Sequence, residues 1–251
     1  MTASLQPYVL PSDQSSRRGW SILPQGDRCL ILVFGQDIQV DTGRRCALAA
    51  AALRAARLSG ITDIVPTFNT VALHFQPEGL GKGAGIAQLA SEVNHVLDAA
   101  MSQEQITSSG KQVEIPVCYG GEHGPDLQAV ADYCKLDPAE VIRLHSHEPA
   151  YVFMLGFAPG APYIGVHDPK LSIGRRDTPR TLLPAGSVAI ANLQTMIYPN
   201  ASPGGWNIIG ATPVVLFDPT QDPPTLLQPG DTVKFVPIDA QAFQALRQET
   251  A

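Results

Sequence analysis

Apolar positions follow two regimes along the chain, and the change falls near residue 110. Residues 29–34 form a short apolar run stopped by Gly35, the signature of a buried strand. Asp41, Thr42 and Gly43 then open an Ala-rich stretch reaching Leu58. Its Leu48, Leu53 and Ala56 suit a helix packed closely on a sheet, with Gly60 as its end. Residues 61–65 and 70–75 are β-branched runs separated by Pro66 to Asn69, the pattern of a hairpin. Beyond them Ile86, Leu89, Val93, Val96, Leu97 and Met101 recur at intervals of three and four, while Ser91, Glu92 and Asp98 fall elsewhere, which predicts a second amphipathic helix. Strand, helix, strand, strand, helix opens a split β-α-β, or ferredoxin-like, arrangement, and the pattern stops where residues 102–111 turn polar.

The second regime consists of short apolar segments at 113–119, 151–157, 187–191, 195–198, 207–209, 213–217 and 232–236, punctuated by Gly and Pro. Such spacing predicts a β-barrel or sandwich. Two short helices interrupt it. One starts at Pro125 and reaches about Cys134, with Leu127, Val130 and Cys134 inward; the other has Asp137 as N-cap, Pro138 at its first position and Glu140 at the third, a capping box. The expected organisation is a loose tail over 1–20 with order starting near Trp20, an α+β domain over 21–108 and a β domain over 112–240.

Composition narrows the function. The chain of 251 residues carries 17 basic and 23 acidic side chains, a net charge of −6, which argues against a partner bound through a phosphate backbone. Charged residues make up only 16 % and hydrophobic ones 44 %, with no long unbroken apolar run, so a globular chain without a membrane span is expected. The 22 Gly and 22 Pro favour many short elements over a helical bundle. Cys29, Cys46, Cys118 and Cys134 are far apart and form no C-x-x-C pair, so buried free thiols are expected. Arg17 and Arg18 are not followed by the apolar segment of a signal peptide, and with reduced thiols this points to the cytoplasm.

Several enzyme motifs fail on inspection. Gly81-Lys82-Gly83 lacks the Ser or Thr of a P-loop, and Ser187 lacks the second glycine of a nucleophile elbow. Asn200-Ala201-Ser202 matches a glycosylation acceptor that a cytoplasmic chain would not use. His145-Ser146-His147-Glu148 would offer two imidazoles to one metal on a strand, but on the predicted helix they diverge, and the expected role is to satisfy carbonyls at the helix end. Arg175, Arg176 and Arg180 crowd one segment; they suit either an anionic ligand or a solvated loop paired with Asp177. Three Gly- and Pro-rich loops, at 156–163, 184–187 and 202–206, can present backbone N–H groups to an anion beside Tyr163 or Trp206, or serve only as turns.

From Gly120 to Ile238 the chain resembles the kinase-inhibitor / allophanate hydrolase subunit 1 family. The likeness rests on Pro116-Val117-Cys118-Tyr119-Gly120-Gly121-Glu122, Leu144-His145-Ser146, Met154-Leu155-Gly156-Phe157-Ala158-Pro159-Gly160, Thr178-Pro179-Arg180, Pro184-Ala185-Gly186-Ser187-Val188, Ser202-Pro203-Gly204-Gly205-Trp206 and Pro229-Gly230-Asp231. It implies a ferredoxin-like domain followed by a cyclophilin-like β-barrel. It also implies a subunit of a cytoplasmic ATP-dependent 5-oxoprolinase, inactive alone. The partners would be a subunit 2 or C-type protein and a third subunit, with ATP, and magnesium with it, bound by the complex. Two alternatives come with the likeness: the carboxyltransferase half of a biotin-dependent urea carboxylase, and an inhibitor of a sensor histidine kinase. Motif positions matching the family assign His145 and Arg180 as catalytic, and Tyr163, Ser187, Gln194, Tyr198, Ser202, Gly204, Gly205 and Trp206 as substrate-binding. Asn192, Leu193 and Met196 stand where the family more often has glycine, which implies a changed substrate contact.

Overall fold

Alternating burial along residues 29–33 and 71–75 builds the first sheet of the computed structural model, which describes residues 18–80, 85–102 and 110–249. The expected tail lies outside the described residues, except for residues 18–20, as do Gly81-Lys82-Gly83 and most of the polar junction. The chain divides into two units, Met1–Thr107 and Ser108–Ala251.

The first unit contains β1 (Ser21–Pro24), β2 (Cys29–Val33), α1 (Val40–Ala56), β3 (Ile61–Pro66), β4 (Thr70–Phe75) and α2 (Ile86–Met101). Its sheet is antiparallel throughout, in the order β1-β2-β4-β3. Leu30, Leu32, Val71 and Leu73 are fully enclosed between the sheet and the two helices, against Ala49, Ala50 and Leu53 of α1 and Leu89, Val93 and Leu97 of α2. The alanines of α1 let the helix approach the sheet closely, and each enclosed Leu or Val contributes about 1.5–3 kcal/mol. The fourth strand, β1, precedes the predicted set and pairs with the edge of β2. α1 ends earlier than expected: its left-handed cap is Arg57, with φ 48° and ψ 48°, rather than Gly60. Burial pushes the Cys46 thiol up to about 12, which keeps it protonated. All four cysteines are free, and three of them are buried.

The second unit is built of β5 (Gln112–Tyr119), α3 (Leu127–Cys134), α4 (Pro138–Ser146), β6 (Ala150–Leu155), β7 (Pro162–Gly165), β8 (Arg180–Leu183), β9 (Ser187–Ala191), β10 (Gln194–Ile197), β11 (Ser202–Gly204), β12 (Asn207–Ala211), β13 (Thr232–Ile238) and α5 (Ala240–Glu249). Seven of these strands close into a barrel in the order β10-β7-β6-β13-β5-β12-β9, so the barrel reading holds over the sandwich. Closure depends on a parallel pairing of β13 with β5, from Thr232 opposite Gln112 to Ile238 opposite Cys118. Ile115, Val117, Val152, Ile164, Val233 and Phe235 fill the interior. α3 and α4 pack through Val130 and Val141 against Ile190 and Ile209, while β8 and β11 form a separate two-stranded flap.

Two local expectations are corrected. Residues 213–217 form a loop, because Pro213 has no N–H to donate to a ladder; only Phe217 makes a bridge, to Thr225, although Leu216 still enters the core. α4 begins at Pro138 behind Asp137 as predicted, but Asp137 makes no side-chain cap hydrogen bond. Glu140 instead accepts from Arg143 at 2.7 Å through both oxygens.

The turn joining β9 to β10 places Asn192 at φ 51° and Leu193 at φ 64°. Both are left-handed, which a two-residue hairpin turn demands and which disfavours a branched side chain. Leu193→Gly is therefore expected to stabilise the protein by roughly 0.5–1 kcal/mol, read as a higher urea midpoint at unchanged slope.

Candidate functional site

A charged cluster in the second unit is assembled by Asp126, just ahead of α3, whose side chain is 5 % exposed. Its Oδ1 accepts from Arg176 Nη1 at 2.7 Å and Arg180 Nη2 at 2.8 Å; its Oδ2 accepts from Arg180 Nη1 at 2.7 Å and the Ile208 N–H at 2.8 Å. Burial pushes the Asp126 carboxyl upward, but the bonds from Arg180 and Ile208 and the two nearby positive charges outweigh it and hold the group below the usual carboxylate range. Two guanidiniums on one carboxylate leave one positive charge in excess. The partner of this arginine segment is thus Asp126, not Asp177, and it fixes the segment against the barrel.

A cleft of about 710 Å³ opens beside this clamp. Arg180 and Leu182 form one side, and the 184–187 loop with Thr212 and Val215 another. Glu122 and His123 stand at the turn after β5, and Phe243 and Arg247 of α5 face them. Phe243 is the buried residue of α5, and the His123 ring lies 4.2 Å from it, centroid to centroid.

Behind β8 and β11 lies an aromatic cluster. Tyr163 is opposite Met196 in the β7–β10 ladder and so shares a face with Gln194 and Tyr198. Trp206 meets Tyr163 edge-on at 6.0 Å, and the Arg175 guanidinium lies 5.8 Å from the centre of the indole. The Trp206 backbone N–H donates to the Tyr198 phenol, whose pKa is raised by burial in spite of that bond. Gly204 has no room for a side chain, since a Cβ there would stand 2.4 Å from Tyr198 Oη. Exposed Phe157, 65 % accessible, meets Tyr198 edge-on.

The opposite face of β10 points inward and carries a different network. Thr195 Oγ1 bridges His145 Nε2 at 2.8 Å and His167 Nε2 at 2.6 Å, while His145 Nδ1 meets Tyr119 Oη at 2.7 Å. The His145 ring lies beside Phe235, 4.3 Å away. Burial, then the neighbouring His167, lowers the His145 pKa well below its ordinary value, and burial brings His167 down to about 4. Both imidazoles are neutral at pH 7.

The residues singled out in the sequence therefore separate. Tyr163, Gln194, Tyr198, Gly204 and Trp206 come together on the outer face; Arg180, opposite Gly204 in the flap, borders both that cluster and the cleft. Ser202 lies on β11, and the Gly205 carbonyl accepts from the Arg176 N–H. Ser187 lines the cleft, but its hydroxyl donates to the Pro184 carbonyl at 2.7 Å. His145 is the correction: it is 0 % exposed with both ring nitrogens engaged, so it neither touches a cleft nor satisfies helix-end carbonyls. His147 is exposed, and among the described residues no cluster of three or more His, Cys, Asp or Glu is placed to hold a metal ion. His123, Phe243 and Arg247 were not legible as site residues; the one signal was that His123 directly follows the Pro116–Glu122 block of the family likeness.

The family described as carboxyltransferase domain, subdomain C and D, matches residues 20–227. A Bacillus subtilis protein, named as the B subunit of 5-oxoprolinase, is 38 % identical over 229 residues, covering 90 % of this chain and 95 % of that protein. The chain belongs to the carboxyltransferase subdomain C and D family. This agrees with the ordered blocks found in its sequence. The crystal structure of TTHA0988 is similar, with a TM-score of 0.73 at 36 % identity; the match covers 85 % of this chain but only 40 % of that longer one. Kluyveromyces lactis urea carboxylase shares the fold with a TM-score of 0.68 at 20 % identity, over 92 % of this chain and 23 % of that one. Among the described residues of this family member, no helix is long and apolar enough to cross a membrane.

Proposed function

We propose that the chain is the B subunit of a cytoplasmic ATP-dependent 5-oxoprolinase, which opens 5-oxo-L-proline with ATP and water to give L-glutamate, ADP and phosphate. The observation that carries this reading is the 38 % identity to the B subunit of a bacterial 5-oxoprolinase, extending over 90 % of this chain and 95 % of that protein. The urea carboxylase likeness, at 20 % identity, supports a common fold and leaves the carboxyltransferase alternative behind.

In this reading the chain acts with a C-type partner and a third subunit, and ATP and magnesium belong to the assembled complex. The first unit is read as a ferredoxin-like sheet whose edge strand, β1, comes ahead of the repeat; the barrel is read as cyclophilin-like. The second unit supplies fixed positive charge: Arg180 is held by Asp126, and its role in this reading is to stabilise an activated lactam and its carboxylate, since preorganised donors strengthen in a low-dielectric site. Tyr163, Tyr198 and Trp206 support the flap that carries Arg180, with Ser202, Gly204 and Gly205 forming its second strand and the turn after it.

The test is co-expression with the C-type partner and the third subunit, followed by phosphate release. Release that requires 5-oxo-L-proline and all the subunits is expected, with none from this chain alone. A reconstituted complex that ignores 5-oxo-L-proline, or this chain turning it over unaided, would overturn the reading.

A further inference from the structure

The cleft under α5 joins motif residues such as Arg180 and Ser187 to His123, Phe243 and Arg247, which no family motif singled out. At about 710 Å³ it falls within the usual range for small-molecule sites. Its charged lining is Arg180, Arg247 and Glu122, and Arg180 adds the charge excess left by the Asp126 clamp, so the cavity favours an anion. Leu182 and Val215, 66 % and 56 % exposed, give it an apolar wall for a short carbon skeleton.

His123 completes it. The ring packs against Phe243 at a tilt of 39°, and its enclosed Nε2 makes no hydrogen bond among the described residues; Glu122 Oε1 is 3.7 Å away. An enclosed imidazole nitrogen without a partner costs free energy unless something binds it. We propose that this cleft binds a small organic carboxylate, its anionic end toward Arg180 and Arg247, its carbon skeleton on Leu182 and Val215, and a second polar atom on His123 Nε2. The site needs a ligand with a carboxylate at one end and a hydrogen-bonding group a few atoms away.

The probe is taken from the functional reading above, and the design separates the two. The full chain, alone and in its complex, is titrated by calorimetry with 5-oxo-L-proline, L-glutamate and 2-pyrrolidinone, the last being a lactam without a carboxylate. Saturable binding of a carboxylate probe and none of 2-pyrrolidinone is expected. His123→Phe keeps a ring on Phe243 but removes Nε2; Arg247→Gln changes an exposed helix position. Each should weaken binding at least tenfold while leaving thermal unfolding within a few degrees of the parent. If no probe binds saturably in either form, if 2-pyrrolidinone binds as well as the carboxylates, or if both variants bind as the parent does, the proposal is overturned. Loss of 5-oxo-L-proline-dependent phosphate release by the unmodified complex would instead sink the functional reading, whereas normal release with unchanged KM in both variants would sink the cleft alone.

Discussion

Replacing Asp126 with alanine is expected to destabilise the protein by about 3 kcal/mol. The carboxylate accepts four hydrogen bonds, three from Arg176 and Arg180 and one from the Ile208 N–H, and is itself 5 % exposed. Removing one partner of a buried ion pair typically costs about 3–5 kcal/mol, because the other is left enclosed without compensation. The low end applies here because the two arginine side chains, 33 % and 28 % exposed, can turn to water, whereas the Ile208 N–H cannot. The same variant should loosen the flap formed by β8 and β11, since the 176–180 segment leading into β8 is tied to α3 through Asp126. Urea unfolding at constant slope gives the stability, and hydrogen exchange across residues 174–183 gives the loosening. A change below about 1 kcal/mol would mean that water already screens the clamp.

The second large effect is with pH. His145 and His167 have folded-state pKa values below the usual value of 6.5, with His167 at about 4, and the groups around them, Tyr119, Thr195 and Phe235, carry no negative charge at neutral pH. The unfolded chain therefore binds more protons than the folded one across this window. The stability is fully present above pH 6.5 and is lost as pH falls toward 4, by up to about 1.4 kcal/mol per pH unit for each imidazole that stays neutral. The urea midpoint should drop steeply between pH 7 and pH 5. His167→Gln, which puts a non-titrating amide near Thr195, should flatten that dependence; an equal slope in parent and variant would remove His167 as its origin.

Much of the fold was legible because burial imposes period. The α2 stripe of Leu89, Val93 and Leu97 and the β9 run over residues 187–191 appear where the pattern put them. β1, β7, β8 and β11 were missed for a physical reason: each has four residues or fewer and owes its existence to a neighbour, too short to carry its own alternation. The site divides the same way. Arg180 stood out because it belongs to a crowd of arginines in a sparsely charged chain, but its anchor lies 54 residues earlier and no local pattern links the two. His145 was misjudged because a helix end can aim a ring at solvent, at carbonyls or at a core; only barrel closure, which sets Thr195 opposite it, decides. His123 gave no periodic signal, being a single polar residue in a glycine turn whose meaning comes from Phe243, 120 residues later.

The parallel seam between β5 and β13 has a consequence for biosynthesis. The first strand of the second unit waits for the last, 120 positions away, before its hydrogen-bonding edge is covered. During translation the ring stays open until Ile238 has left the ribosome, so this unit should fold only after both ends of the seam have emerged, slowly, and with an adhesive edge exposed to chaperones in the meantime.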